Sequence, residues 1–298
     1  MVSPTRVDPL RVQSQDSTEP IVPPCEVSIP SGAVEPPLSY QSARPGVPAY
    51  YAYVPMRVED RATLPLAVGI HGISRDAKEM AEQLLPEAQS RNFALLAPYF
   101  DPAEYQDYQR LGRRGRGGRA DLALFQALRK LEIDADREFR PIYLIGFSGG
   151  AQFAHRFVMA YPGLVGAATI ASAGWYTYPA PRRRYPTGLR VNGELTGVRL
   201  EPSQFLRVPM LVTVGVEDTM RDASVRTNVR LDERQGRNRV ERARRFHQAM
   251  GEAAATRGIE SQTRLIELPN AGHSFCECVE NGLARLAFEF FDSANRSI

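Results

Sequence analysis

Residues 141–157 read PIYLIGFSGGAQFAHRF, and their reading decides the fold. An apolar run of β-branched and aromatic residues, 141–147, stops at Ser148. Helical spacing then follows through Ala154, Phe157, Val158 and Tyr161. A buried strand, a tight turn with a hydroxyl at its apex and a helix are expected in that order. Gly146-Phe147-Ser148-Gly149-Gly150 is a G-x-S-x-G pentapeptide in strand–turn–helix context. There the serine projects above the sheet on a strained backbone, and glycines two before and two after avoid collision with the flanking elements. The plainer alternative is a glycine-rich turn that merely caps the helix.

Working outward, strand-like runs stand at 48–56, 64–70, 93–99, 166–174, 208–216 and 263–269. Most are continuously apolar, the pattern of strands buried on both faces. Helical stripes separate them: Leu124, Phe125, Leu128 and Leu131; Val240, Ala243, Phe246 and Met250; and Val279, Leu283, Leu286 and Phe290, read as one closing helix. This alternation predicts an α/β fold with a mostly parallel sheet. Two long connections, 177–207 and 218–262, lack the apolar periodicity of a second domain and read as excursions over one sheet edge, so no full cap domain is expected.

Before the strands, the first 48 residues hold ten of the 23 prolines. Proline blocks helix and removes backbone donors, so 1–45 is expected to be an extended or disordered arm and 46–298 a single domain. A formal charge of +3 gives no argument for nucleic acid. The start has no apolar core of a signal peptide, and no run approaches the ~18 apolar residues of a membrane span. Three cysteines, Cys25, Cys276 and Cys278, do not make a disulfide framework. Reduced thiols and a cytoplasmic location are expected.

A serine hydroxyl needs a base to take its proton. Of four histidines, His71 ends a strand, His155 lies inside the helix after Ser148, and His247 sits on an arginine-rich helix. His273, in PNAGHSF, lies in a loop after the last strand, at the edge where Ser148 points. It is the expected base. Asp218, two residues past a strand in GVED, is the expected orienting carboxylate, with Glu217 solvated and Asp222 a weaker substitute. Ser148, Asp218 and His273 then follow the chain order Ser–Asp–His. IHGIS ends another strand on the same edge. Its Ile73 amide, with that of Gly149, would hold an oxyanion, each donor stabilising by about 2.7–4 kcal/mol. His71 reads as a structural residue of that loop.

IHGIS, GFSGG, GVED and AGHSF together resemble the α/β-hydrolase superfamily over about 48–298, and within it compact bacterial esterases related to polyhydroxybutyrate depolymerases and feruloyl esterases. The resemblance implies an eight-stranded, mostly parallel sheet flanked by helices, with Ser148 as nucleophile, Asp218 as acid and His273 as base. A small-molecule ester substrate is expected, because ester leaving groups need less assistance than amides and no peptide-anchoring element stands in the sequence, and no cofactor or metal is expected. An amidase or peptidase of the same superfamily, and a non-catalytic binding protein that keeps the fold, are the alternatives.

Other features carry less. QRLGRRGRGGRAD places five arginines between Arg110 and Arg119. The expected reading is a flexible basic loop; an RGG-like nucleic-acid contact and a hold on an anionic substrate are the alternatives. Trp175 and Tyr176 end a strand on the same edge and either line a substrate pocket or pack under the next loop, with Tyr178 beside them. RVERARRF, 239–246, reads as the solvated face of an amphipathic helix, His155 as a core residue, and Cys276 as part of the closing apolar stripe.

Overall fold

The computed structural model describes residues 38–55, 63–191, 193, 195–221 and 224–295. Eight strands form one sheet: β1 (Ser39–Gln41), β2 (Ala49–Tyr53), β3 (Thr63–Ile70), β4 (Ala94–Tyr99), β5 (Glu138–Phe147), β6 (Val165–Ala171), β7 (Met210–Gly215) and β8 (Thr263–Leu268). Their spatial order is β1-β2-β4-β3-β5-β6-β7-β8. The pairs β1/β2 and β2/β4 are antiparallel, and every pair from β4/β3 to β7/β8 is parallel.

Among the described residues, eight α-helices accompany the sheet: α1 (Ala77–Ser90), α2 (Ala120–Ala135), α3 (Gly149–Ala160), α4 (Pro202–Phe205), α5 (Val229–Gln235), α6 (Arg239–Ala255), α7 (Phe275–Glu280) and α8 (Leu283–Asn295). The continuously apolar strands follow from burial on both faces. Along β5, Leu144 joins a core with Leu124, Phe157 and Phe246 of α2, α3 and α6. Its neighbours Tyr143 and Ile145 join a second core with Leu84 of α1 and Phe288 and Phe291 of α8. Side chains alternate across a strand, so each strand feeds both layers. Each fully buried leucine or phenylalanine contributes roughly 1.5–3 kcal/mol.

After β3 the chain crosses to β4 on one side and then to β5 on the other. The sheet order therefore reverses beside β3, and a crevice opens at the carboxyl ends of β3 and β5. The carboxyl ends of β6, β7 and β8 share that edge because all five strands run parallel. The excursion 177–207 contributes Leu189, Leu195, Leu200 and Phe205 to the α2/α3/α6 core, and among its described residues only the four-residue α4 is helical.

Three elements depart from the sequence expectation. β1 lies inside the segment assigned to the proline-rich arm, while residues 1–37 lie outside the described residues. β1 has three mostly exposed residues, too few to show a period. The helix α1 shows no clear apolar stripe, because Met80, Leu84 and Leu85 are its only large apolar residues and Pro86 interrupts it. A signal was present: Asp76 caps it, accepting from the Glu79 N–H at 2.8 Å, the D-x-x-E form of a capping pattern. The closing stripe is two helices, because Gly282 at φ 94° ends α7.

Candidate active site

Ser148 sits between β5 and α3 at φ 52° and ψ −108°, a strained conformation for a residue with a side chain. Close approach holds it there. A Cβ on Gly150 would fall 1.9 Å from the Ile70 carbonyl oxygen, so the turn fits against the end of β3 only as glycine. A Cβ on Gly149 would fall 2.4 Å from the Tyr108 hydroxyl oxygen. That hydroxyl donates to the His71 carbonyl at 3.0 Å, tying the loop after β3 to the turn.

His273 brings its Nε2 to 3.0 Å from Ser148 Oγ and its Nδ1 to 2.7 Å from Asp218 Oδ2. A carboxylate only accepts, so Nδ1 carries the proton and Nε2 is left to accept from the serine hydroxyl. The Phe147 ring stacks on the imidazole, centroids 5.1 Å apart. The His273 loop is fixed from its other side. Ser274 caps α7 by accepting from the Glu277 N–H, and the Glu277 carboxylate accepts from the Gly272 N–H at 3.0 Å. Asp218 is buried, and its second oxygen accepts from Arg239 Nη1 at 2.9 Å. Arg239 Nη2 in turn donates to Ser224 Oγ. Asp222, the weaker substitute for Asp218, lies outside the described residues.

Ile73 and Gly149 lie on neighbouring loops. Gly149 is the first residue of α3, so its N–H has no intrahelical acceptor. A Cβ at that position would lie 3.0 Å from Ile73 Cγ2, so the two loops touch. Neither amide donates to a backbone acceptor in the turns and loops among the described residues. The partial positive charge of the α3 N-terminus lies at Gly149, the end an anion would favour.

His71 and His155 are structural. His71 Nε2 accepts from the Phe100 N–H at 3.1 Å, so its Nδ1–H donates to the Gly72 carbonyl at 2.9 Å. Burial pushes its pKa down to about 4. His155 Nε2 accepts from the Thr177 N–H at 2.9 Å, and burial holds that ring neutral too. Among the described residues no three His, Cys, Asp or Glu side chains gather as a metal ion would need.

Several expectations are corrected. Tyr176 does not line a pocket: it is fully buried and stacked on Phe246 at 4.2 Å, because its backbone is clamped by Gln235 in both directions. Trp175 is nearly buried, with three guanidinium groups around its indole. The basic loop divides: Arg119 chelates Asp121 and is structural, whereas Arg110 reaches Trp175. Nor is 239–246 a solvated face. Arg239 and Arg242 are fully buried, drawn inward by Asp218 and Asp232. A cation in the first turn of a helix opposes the dipole, and that placement of Arg239 was the available signal. Cys278, not Cys276, packs in the core, where burial pushes its thiol up to about 12. Cys276 is half-buried on α7, its Sγ 3.3 Å from a Glu280 carboxylate oxygen.

No family model and no curated protein matches the chain. Solved structures do. A poly(3-hydroxybutyrate) depolymerase from Bordetella parapertussis is 26% identical, with 81% of this chain and 83% of that one covered at a TM-score of 0.67. Poly(aspartic acid) hydrolase-1 from Sphingomonas sp. KT-1 is 21% identical over 86% and 98% of the two chains, at 0.69. An S-formylglutathione hydrolase from Agrobacterium tumefaciens is 13% identical over 85% and 94%, at 0.55. The fold of this chain is that of the α/β-hydrolase esterases.

Proposed function

We propose that this protein is a serine hydrolase that cleaves carboxylic esters through an acyl-serine intermediate. The observation that carries this reading is the unbroken relay from Ser148 Oγ to His273 Nε2 at 3.0 Å and from His273 Nδ1 to Asp218 at 2.7 Å, with the serine on its strained turn. In the proposed reaction His273 takes the hydroxyl proton as Ser148 attacks the ester carbonyl. Buried Asp218 stabilises the imidazolium that forms, and the Gly149 and Ile73 amides hold the oxyanion. The alcohol leaves with the proton from His273. Water, activated by the same ring, then frees the acid. This chemistry requires no cofactor. No helix among the described residues is long and apolar enough to cross a membrane, and the proposed partner is a small-molecule ester.

The test is hydrolysis of p-nitrophenyl acetate, butyrate, octanoate and palmitate by the wild type and by Ser148→Ala. The expected loss in kcat is at least about a thousandfold. Equal activity of the two proteins would reduce Ser148 to a turn residue. Amide cleavage is the second reading, favoured by the poly(aspartic acid) hydrolase neighbour, whose named substrate is a polyamide. Aminoacyl p-nitroanilides assayed alongside the esters decide between the two.

A further inference from the structure

Three arginines converge on the only tryptophan of the chain. The guanidinium carbon of Arg156 lies 4.2 Å from the Trp175 ring centroid, that of Arg226 5.3 Å and that of Arg110 5.6 Å. Trp175 and Arg226 also line a cavity of about 270 Å³ whose wall carries Arg183, Arg230 and Arg234 and no carboxylate.

Arg156 is the buried member of the cluster and stands behind Trp175 rather than in the cavity wall. It is fully buried. Its Nε donates to Thr177 Oγ1 at 2.8 Å, and its Nη1 donates to the Gln109 and Gln152 carbonyls at 2.5 and 3.1 Å. Its Nη2 has no hydrogen-bond partner among the described residues. Burial lowers its pKa to about 9, and the positive charges of Arg110 and Arg226 push the same way. A buried cation without a counter-charge is costly. The nearby carboxylate of Asp232 is already taken by Arg221 and Arg242. The cluster is also held in place before any ligand arrives, because Arg242 donates to the Gly174 and Arg226 carbonyls on either side of it.

The cluster shares α3 with the reactive serine. Arg156 stands eight residues into the chain beyond Ser148, about 12 Å along the axis of α3. Gln152, whose carbonyl it bonds, lies half that way, and the side-chain amide of Gln152 abuts Gly174 next to Trp175.

We propose that the arginine-lined cavity beside Trp175 is a substrate subsite that binds carboxylates carried by the chain whose ester bond meets Ser148. The inference rests on the ester-hydrolase reading above and names its substrate class: an acyl or alcohol chain bearing one or more carboxylates. Guanidinium groups match carboxylates in paired hydrogen bonds. Their spread over one cavity suits several charges along a chain better than one compact anion.

The experiment compares mono-p-nitrophenyl esters of glutaric, suberic and dodecanedioic acids with their ω-carboxamide analogues. The wild type is expected to prefer the carboxylate member at least tenfold in kcat/KM, most strongly where the chain spans the gap, and to lose the preference at 0.5 M NaCl. Arg226→Gln and Arg230→Gln, both exposed and tolerant of change, should cut the charged-to-neutral ratio severalfold. Arg285→Gln, on α8 beside Glu289, should not. A wild-type ratio near one, or equal reduction by Arg285→Gln, overturns the subsite. If no ester is cleaved, the ester reading fails, and the subsite is judged by binding alone. N-acetyl-tetra-aspartate, but not N-acetyl-tetra-asparagine, should then shift Trp175 fluorescence in Ser148→Ala. Absence of that shift overturns the subsite as well.

Discussion

Helices α6 and α3 both bury arginine at the active-site edge, and the difference between them separates support from recognition. On α6, Arg239 meets Asp218 at 2.9 Å and Arg242 meets Asp232 at 2.8 Å, so each cation is neutralised within the fold. On α3, Arg156 meets only a hydroxyl and carbonyl oxygens, which carry dipoles but no charge. The α6 pairs are closed and fix geometry. Arg239 is a positioning residue: it reaches Ser148 only through Asp218 and His273. The α3 cation has no carboxylate partner among the described residues and adds its charge to the cluster around Trp175.

The sharpest way to break this contrast is Arg239→Met. Removing one partner of a buried pair leaves Asp218 as an uncompensated charge, a loss of about 3–5 kcal/mol in unfolding free energy. With Asp218 no longer held, kcat on p-nitrophenyl butyrate is expected to fall about a hundredfold with KM little changed, a split seen by steady-state kinetics beside chemical denaturation. Arg239→Lys should recover part of both. A methionine variant as active as the wild type would make Arg239 a packing residue.

The histidines extend the contrast. His273 faces a carboxylate, while His71 and His155 are buried against neutral groups. Above pH 6.5 both folded and unfolded states leave His71 neutral. Below it the unfolded chain takes up a proton that folded His71 refuses until about pH 4. Stability is therefore full above pH 6.5 and falls by about 1.4 kcal/mol per pH unit for this residue, up to about 3 kcal/mol. Denaturation midpoints between pH 7 and 5 read the combined slope of His71 and His155, and His71→Gln should remove about half of it.

The smallest effect belongs to Arg156→Met. It strips hydrogen bonds from Thr177 and two carbonyls but leaves no orphaned charge, so a loss of only about 1–2 kcal/mol is expected in chemical denaturation. A loss as large as that of Arg239→Met would show that Arg156 is a structural cation after all.

The strands and the serine turn were legible in the sequence because parallel strands buried on both faces read as unbroken apolar runs. A G-x-S-x-G turn between strand and helix also has few other uses. Asp218 and His273 were legible as candidates because few carboxylates and histidines stand just past strand ends. Arg239, Arg242 and Arg156 were not. Arginine on an amphipathic helix normally faces water, and nothing local says that a carboxylate or an aromatic ring waits on the inward side.

Sequence alone determined the layered α/β architecture, the turn that raises Ser148 and the order in which its partners arrive, since these follow from apolar period, glycine placement and strand-end position. Only the tertiary structure decided that Tyr176 is core and Trp175 the hub of a basic cluster, although they are neighbours in the chain. It also decided which buried arginines find carboxylates and which does not. The reason is physical. The cost of burying a charge depends on what lies within a few ångströms in space, and those neighbours, Arg110 and Arg226 around Trp175 or Asp218 against Arg239, come from distant parts of the chain.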